Sequence, residues 1–158
     1  MSLLAFFQWC EQSAIGDAIR RSAWLFPVIE AIHLLGLGLI GGAVLVVDLR
    51  LLGLGLRRQS VAQLARDAQP WLIGSLLLMI TTGTLLFLSE AIKCYYHPAF
   101  WMKMTSLFLA IVFTFTVQRK VTTADEARMS PLWSKVVAVV SVMLWSGVGI
   151  GGRWIGFS

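Results

Sequence analysis

The stretch from Trp24 to Arg50, WLFPVIEAIHLLGLGLIGGAVLVVDLR, constrains everything else in the chain. Between Ser22 and Asp48 its only ionisable side chains are Glu30 and His33. An apolar run of this length crosses a bilayer, which takes about 20 helical residues. Glu30 and His33 stand three apart and so share one helical face. A charge at mid-bilayer costs roughly 2.5–3.5 kcal/mol on insertion scales, so both groups are expected to face protein and to have partners there. Gly38 and Gly42 form a G-x-x-x-G on the same helix, expected to let a neighbouring helix approach closely.

Three further apolar runs follow, opened by Pro70, Pro98 and Pro131. The spans are expected at residues 23–47, 70–89, 98–117 and 131–155, with Asp48 and Arg50 marking the exit of the first. Only 13% of the 158 residues are charged, where a soluble domain has about a quarter. The net charge of +5 therefore reports membrane topology rather than a nucleic-acid partner. Residues 3–20 carry an apolar stripe through Leu3, Leu4, Phe7, Ala14, Ile15, Ala18 and Ile19, opposite Gln8, Gln12 and Asp17. That pattern reads as an amphipathic helix in the membrane interface, with a fifth packing helix as the alternative. The fold expected is an all-α integral membrane four-helix bundle, one domain over 1–158, preceded by an N-terminal amphipathic interfacial helix. MSLLAFFQWCEQ has no basic start and so does not read as a cleaved signal peptide. Cys10 and Cys94 lack metal-site spacing and read as ordinary apolar thiols.

Lys and Arg number eight in the loops after spans 1 and 3, and five on the other side. This bias places both termini outside, in the periplasm if the membrane is a bacterial inner one. Depth follows from the helical rise: His33 lies roughly 12–16 Å from the outer ends of the spans, Met79 about 16 Å, Thr82 about 12 Å and Lys103 about 7 Å. Met143 falls roughly 13–18 Å in, and Arg153 near the surface. Glu30, His33, Thr82, Thr105, Ser106 and Lys103 thus form an outer polar layer. Glu30 is expected to pair with Lys103 or Arg153. His97 misses the level of His33 by about 10 Å, which argues against a bis-histidine haem.

Four motifs then stand together: E-x-x-H at Glu30–His33, D-L-R-L-L-G from Asp48, H-P-A-F-W-M-K from His97, and G-R-W-I-G-F from Gly152. In combination, over nearly the whole chain, they resemble a family of small four-span bacterial inner-membrane proteins, a domain of unknown function. The resemblance implies the fold and the membrane location, and no activity. It also implies that asparagine often stands at the position of His97, which makes His97 a poor candidate for a shared role.

The leading functional expectation is an accessory or redox-type membrane subunit whose polar centre, Glu30 and His33, binds a b-type haem, a metal ion, a quinone or a proton. For haem, His33 with Met79 or Met143 matches in depth. For a metal, Glu30 and His33 offer one E-x-x-H, short of a full di-iron set. The alternatives are a small proton-coupled transporter or channel, and a purely structural subunit. The lipid bilayer and a homo-oligomer or larger membrane complex are the expected partners. No phosphate loop, converging Ser–His–Asp set or nucleic-acid pattern is present.

Overall fold

The computed structural model of the chain describes residues 2–55, 58–124 and 130–155. Among them there are helices and no strands. Two short helices, α1 (Leu3–Glu11) and α2 (Ala14–Arg21), precede α3 (Leu25–Leu52) and α4 (Val61–Ser89). A single turn-and-a-half, α5 (Ala91–Tyr96), leads to α6 (Pro98–Phe113), which runs through a π turn at Thr114–Gln118 into α7 (Arg119–Thr123). The last helix is α8 (Pro131–Ile155). Four of these paths, Leu25–Leu52, Val61–Ser89, Pro98–Thr123 and Pro131–Ile155, are long and apolar enough to cross a membrane. The protein is an all-α membrane bundle with an N-terminal helical segment lying outside the four spans.

Three spans extend beyond their expected limits, each for a local reason. The first continues past Asp48 and stops at Gly53, whose φ of +79° is left-handed. The amides of Gly53 and Leu54 there take up the carbonyls of Arg50 and Leu49. Asp48 is therefore inside the helix, not at its exit. The second span begins nine residues before Pro70, where the Ser60 hydroxyl accepts from the Gln63 amide at 3.2 Å. Pro70 sits within this helix at the cost of one backbone bond. Val61 and Leu64 at its start are buried, and Val61 joins Val47, Leu51, Val121, Val137 and Ala138 in the core at this end. The third span reaches Thr123 through the π turn, in which the Arg119 amide bonds to the Thr114 carbonyl five residues back.

The spans pack in the order α4, α3, α8, α6, and the backbones of α4 and α6 hardly approach one another, meeting through the stacked rings of Phe87 and Phe100. Glycines set the close seams. A Cβ at Gly147 or Gly151 of α8 would press on Ser106 or on the Lys103 stem of α6. Gly38 and Gly42 behave differently from the sequence expectation: no atom lies near either, and both face the outside of the bundle. Gly36 is the glycine that meets a neighbour, Met79 of α4. The central core joins Ile40, Val44, Leu72, Leu76, Met79, Ala110, Trp145 and Val148.

The N-terminal segment is two helices rather than one, because Ser13 caps α2 through a bond from the Gly16 amide at 3.2 Å. The pair docks on the turn between α4 and α5. Arg20 donates to the carbonyls of Ser89 and Glu11, at 3.1 and 2.8 Å. The Glu11 carboxylate accepts from the Ile92 amide at 2.6 Å, at the start of α5. Phe7 and Cys10 bury against Ala91 and Cys94, so the two free thiols share one cluster. Leu3, Phe6, Trp9 and Ile15 stay exposed on the other side.

Candidate functional site

At the bundle end that carries the N-terminal helices, three spans converge on His33. Its ring is 8% exposed and lies against Gly83 of α4, where an added Cβ would come within 3.2 Å of Cε1. Nδ1 is 2.8 Å from Thr82 Oγ1, and that hydroxyl gives its one hydrogen to the Leu78 carbonyl at 2.7 Å. The threonine oxygen must then accept, so Nδ1 carries the proton and Nε2 presents a lone pair. Lys103 Nζ lies 3.4 Å from that nitrogen. The ammonium donates to a neutral imidazole. The lysine stem reaches this place over Gly151, where an added Cβ would crowd it at 3.1 Å, and past Gly152.

Glu30 is half-buried on the same face of α3 and lines a cavity of about 200 Å³ together with His33, Lys103, Glu90 and Lys93. The anticipated Glu30–Lys103 ion pair does not form. Among the described residues no nitrogen–oxygen pair within 4.0 Å involves Glu30, and Lys103 turns to His33 instead. Lys93 pairs with Glu90 at 3.7 Å. Arg153 is exposed near the chain end.

A second cavity, about 260 Å³, runs between α4 and α6 and is floored by His33 and Val148. Leu76, Ile80, Met104 and Leu107 make its walls. The two cavities share His33, Met79, Gly83, Phe87, Phe100, Lys103 and Val148. The His33–Lys103 pair therefore stands where a charged pocket meets an apolar seam. Ile80, Thr84 and Met104 at the edge of the seam are exposed to the outside of the bundle. In a membrane that side is lipid.

Other expected site residues fall differently. Met143 is 68% exposed on the outer face of α8, so the His33–Met143 haem pair is not brought together. Met79 does stand with His33 on both cavities. At this level α3 and α4 touch through His33–Thr82 and Gly36–Met79. Thr105 faces outward and leaves the polar layer, whereas Ser106 packs against Gly147. Among the described residues no three His, Cys, Asp or Glu side chains gather as a metal set, so Glu30 and His33 would need ligands from elsewhere. His97 caps α6, its Nδ1 accepting from the Ala99 amide at 3.2 Å.

Sequence reasoning missed Gly83, Gly151 and Gly152, whose role is only the space they leave. It also missed Asp48, Gln118 and Ser141, three buried polar residues that meet in the opposite half of the bundle. Their spacing across three spans gives no linear motif.

These features define a class: a multi-span membrane protein with a polar pair at the base of a lateral cleft. The chain belongs to DUF6644, a family of unknown function whose sequence model matches residues 6–158. No curated protein and no solved structure matches it.

Proposed function

We propose that the protein is a redox-type membrane subunit that holds the head group of a quinone between His33 and Lys103. The observation that carries this reading is the meeting of the two cavities at that pair. A quinone is an apolar chain ending in a ring with carbonyl oxygens. The chain would enter along the α4–α6 seam and leave the ring at the polar pair. Lys103 Nζ would turn from His33 to donate to a quinone carbonyl, and the His33 Nε2 lone pair so released would accept from a quinol hydroxyl. The pair thus suits both redox forms. Electrons would enter from a partner in a larger membrane assembly. The charge bias supports both termini outside, in the periplasm if the membrane is a bacterial inner one, which reporter fusions at each terminus would test.

The test is calorimetric titration of the nanodisc-embedded chain with a short-tailed quinone. Saturable binding is expected, weakened at least tenfold by Lys103→Met in protein that remains folded. No binding up to the solubility limit, or equal affinity of wild type and Lys103→Met, would sink the reading. A proton-coupled transporter is the second reading. It is favoured by a cavity of about 320 Å³ in the opposite half, lined in part by Arg66, Gln69, Gln118, Arg119 and Thr122. Pyranine-loaded proteoliposomes that leak protons only with active protein would support it.

A further inference from the structure

The half of the bundle opposite the cleft buries a carboxyl that a quinone site does not use. Asp48 of α3 is 0% exposed. Its Oδ1 accepts from Gln118 Nε2 at 2.8 Å, and Ser141 of α8 stands beside the same carboxyl. Gln118 is 5% and Ser141 0% exposed. Three oxygens in this group, Asp48 Oδ2, Gln118 Oε1 and Ser141 Oγ, are buried without a hydrogen-bond partner. Buried polar atoms are nearly always satisfied, so three together ask for something that satisfies them.

Charge makes the demand sharper. Among the described residues no ion pair reaches Asp48. Arg50, on the same helix, directs its Nε to the Gln59 carbonyl at 2.8 Å. Arg66 and Asp67 on α4, Arg119 and Lys120 on α7, and Lys135 on α8 are all exposed. An ionised Asp48 would be an anion without a cationic partner among the described residues, met only by the neutral side chains of Gln118 and Ser141 in a low-dielectric interior, a penalty of several kcal/mol. One proton on Oδ2 removes the charge. It also makes Oδ2 a donor, which the Ser141 oxygen can accept.

We propose that Asp48, Gln118 and Ser141 form a proton-binding site, occupied at neutral pH, in the half of the bundle opposite the cleft. A route of access exists as well: Gln118 also lines the cavity between α3, α4 and α7, whose rim carries the exposed Arg66 and Arg119. The π turn that carries Gln118 is a local departure of the kind frequent at functional sites.

The test is infrared spectroscopy of the full chain in nanodiscs at pH 7. A protonated-carboxyl band above amide I is expected. It should shift in D2O, vanish in Asp48→Asn, move when Ser141→Ala removes its acceptor, and stay unchanged when sodium is added at fixed pH. Absence of the band in folded wild type overturns the proposal. So does its loss on adding sodium, which would make the site one for a metal cation. Should Asp48→Asn not fold, the Ser141→Ala comparison decides: a band that does not move belongs to another carboxyl and overturns the assignment.

Discussion

At the scale of single residues, partner choice inside the bundle decides what each polar group contributes. Lys103 satisfies His33, and Glu30 lines the cavity without an ion pair within 4.0 Å among the described residues. Glu30→Gln should therefore change stability by no more than about 0.5 kcal/mol, as a substitution that breaks no buried pair. A detergent melt of the two proteins side by side checks this. Thr82→Val is the contrasting case. It removes the acceptor that fixes the His33 tautomer, and interhelical bonds in membranes are worth about 0.6 kcal/mol on average and about 1.7 at most. A loss in that range is expected by the same melt, and a neutral result would mean that the Nδ1 proton has another acceptor. The sequence made Glu30 and His33 conspicuous because so few charges interrupt the first span. It could not say which cation answered them, since Lys103 and Arg153 were both near in depth.

Elements were legible to different degrees. Four spans could be read because each is a long apolar run, and lipid rewards such a run whichever way its faces turn. Their facing was hidden for the same reason. Met143 lies outside and Trp145 inside on the same helix, although both are apolar. Gly38 and Gly42 look like an interface and lie outside, while Gly36, two residues earlier, packs on Met79. Charges do not mark the helix ends. Asp48 lies inside the first helix, and the polar start of α4 at Val61 is helical because Val61 and Leu64 are buried there. The docking of α2 onto α4 depends on Gly16, where a Cβ would run into the Leu88 carbonyl oxygen. Backbone cannot move aside as a flexible side chain does. Gly16→Ala should loosen the N-terminal helices and raise the labelling rate of Cys94, one of the thiols beneath them, several-fold at neutral pH. Unchanged labelling would show that α2 tolerates the shift.

At the scale of the whole molecule, the same cap ties stability to alkaline pH. Burial is the main cause that pushes the Cys94 thiol from 9.0 up to about 11. The unfolded chain loses this proton near 9.0, before the folded one does. An acid raised in the folded state contributes stability below its unfolded value and loses it as pH rises toward about 11. The melting temperature should fall over that window in wild type, and fall less in Cys94→Ala. A parallel decline in both proteins would assign the effect to other groups. The open α4–α6 seam belongs to this scale too. No stretch of sequence announces it, because it is set by the order α4, α3, α8, α6 and by the weak approach of the two outer members.

The π turn at Thr114–Gln118 acts as a one-residue insertion in an otherwise α-helical span. Each helical residue advances the side chains by about 100°, so the turn offsets everything after it by that angle. The part of the span that walls the cleft and the part that buries Val121 and Thr122 are thereby held in two phases. Deleting one residue inside the turn, such as Thr116, should restore a continuous α-helix and rotate one part against the other. Either the cleft at His33 or the surroundings of Asp48 would then keep their geometry, and not both. Read this way, the extra residue is a phase adjuster. It lets one helix serve two sites whose spacings do not share a common period.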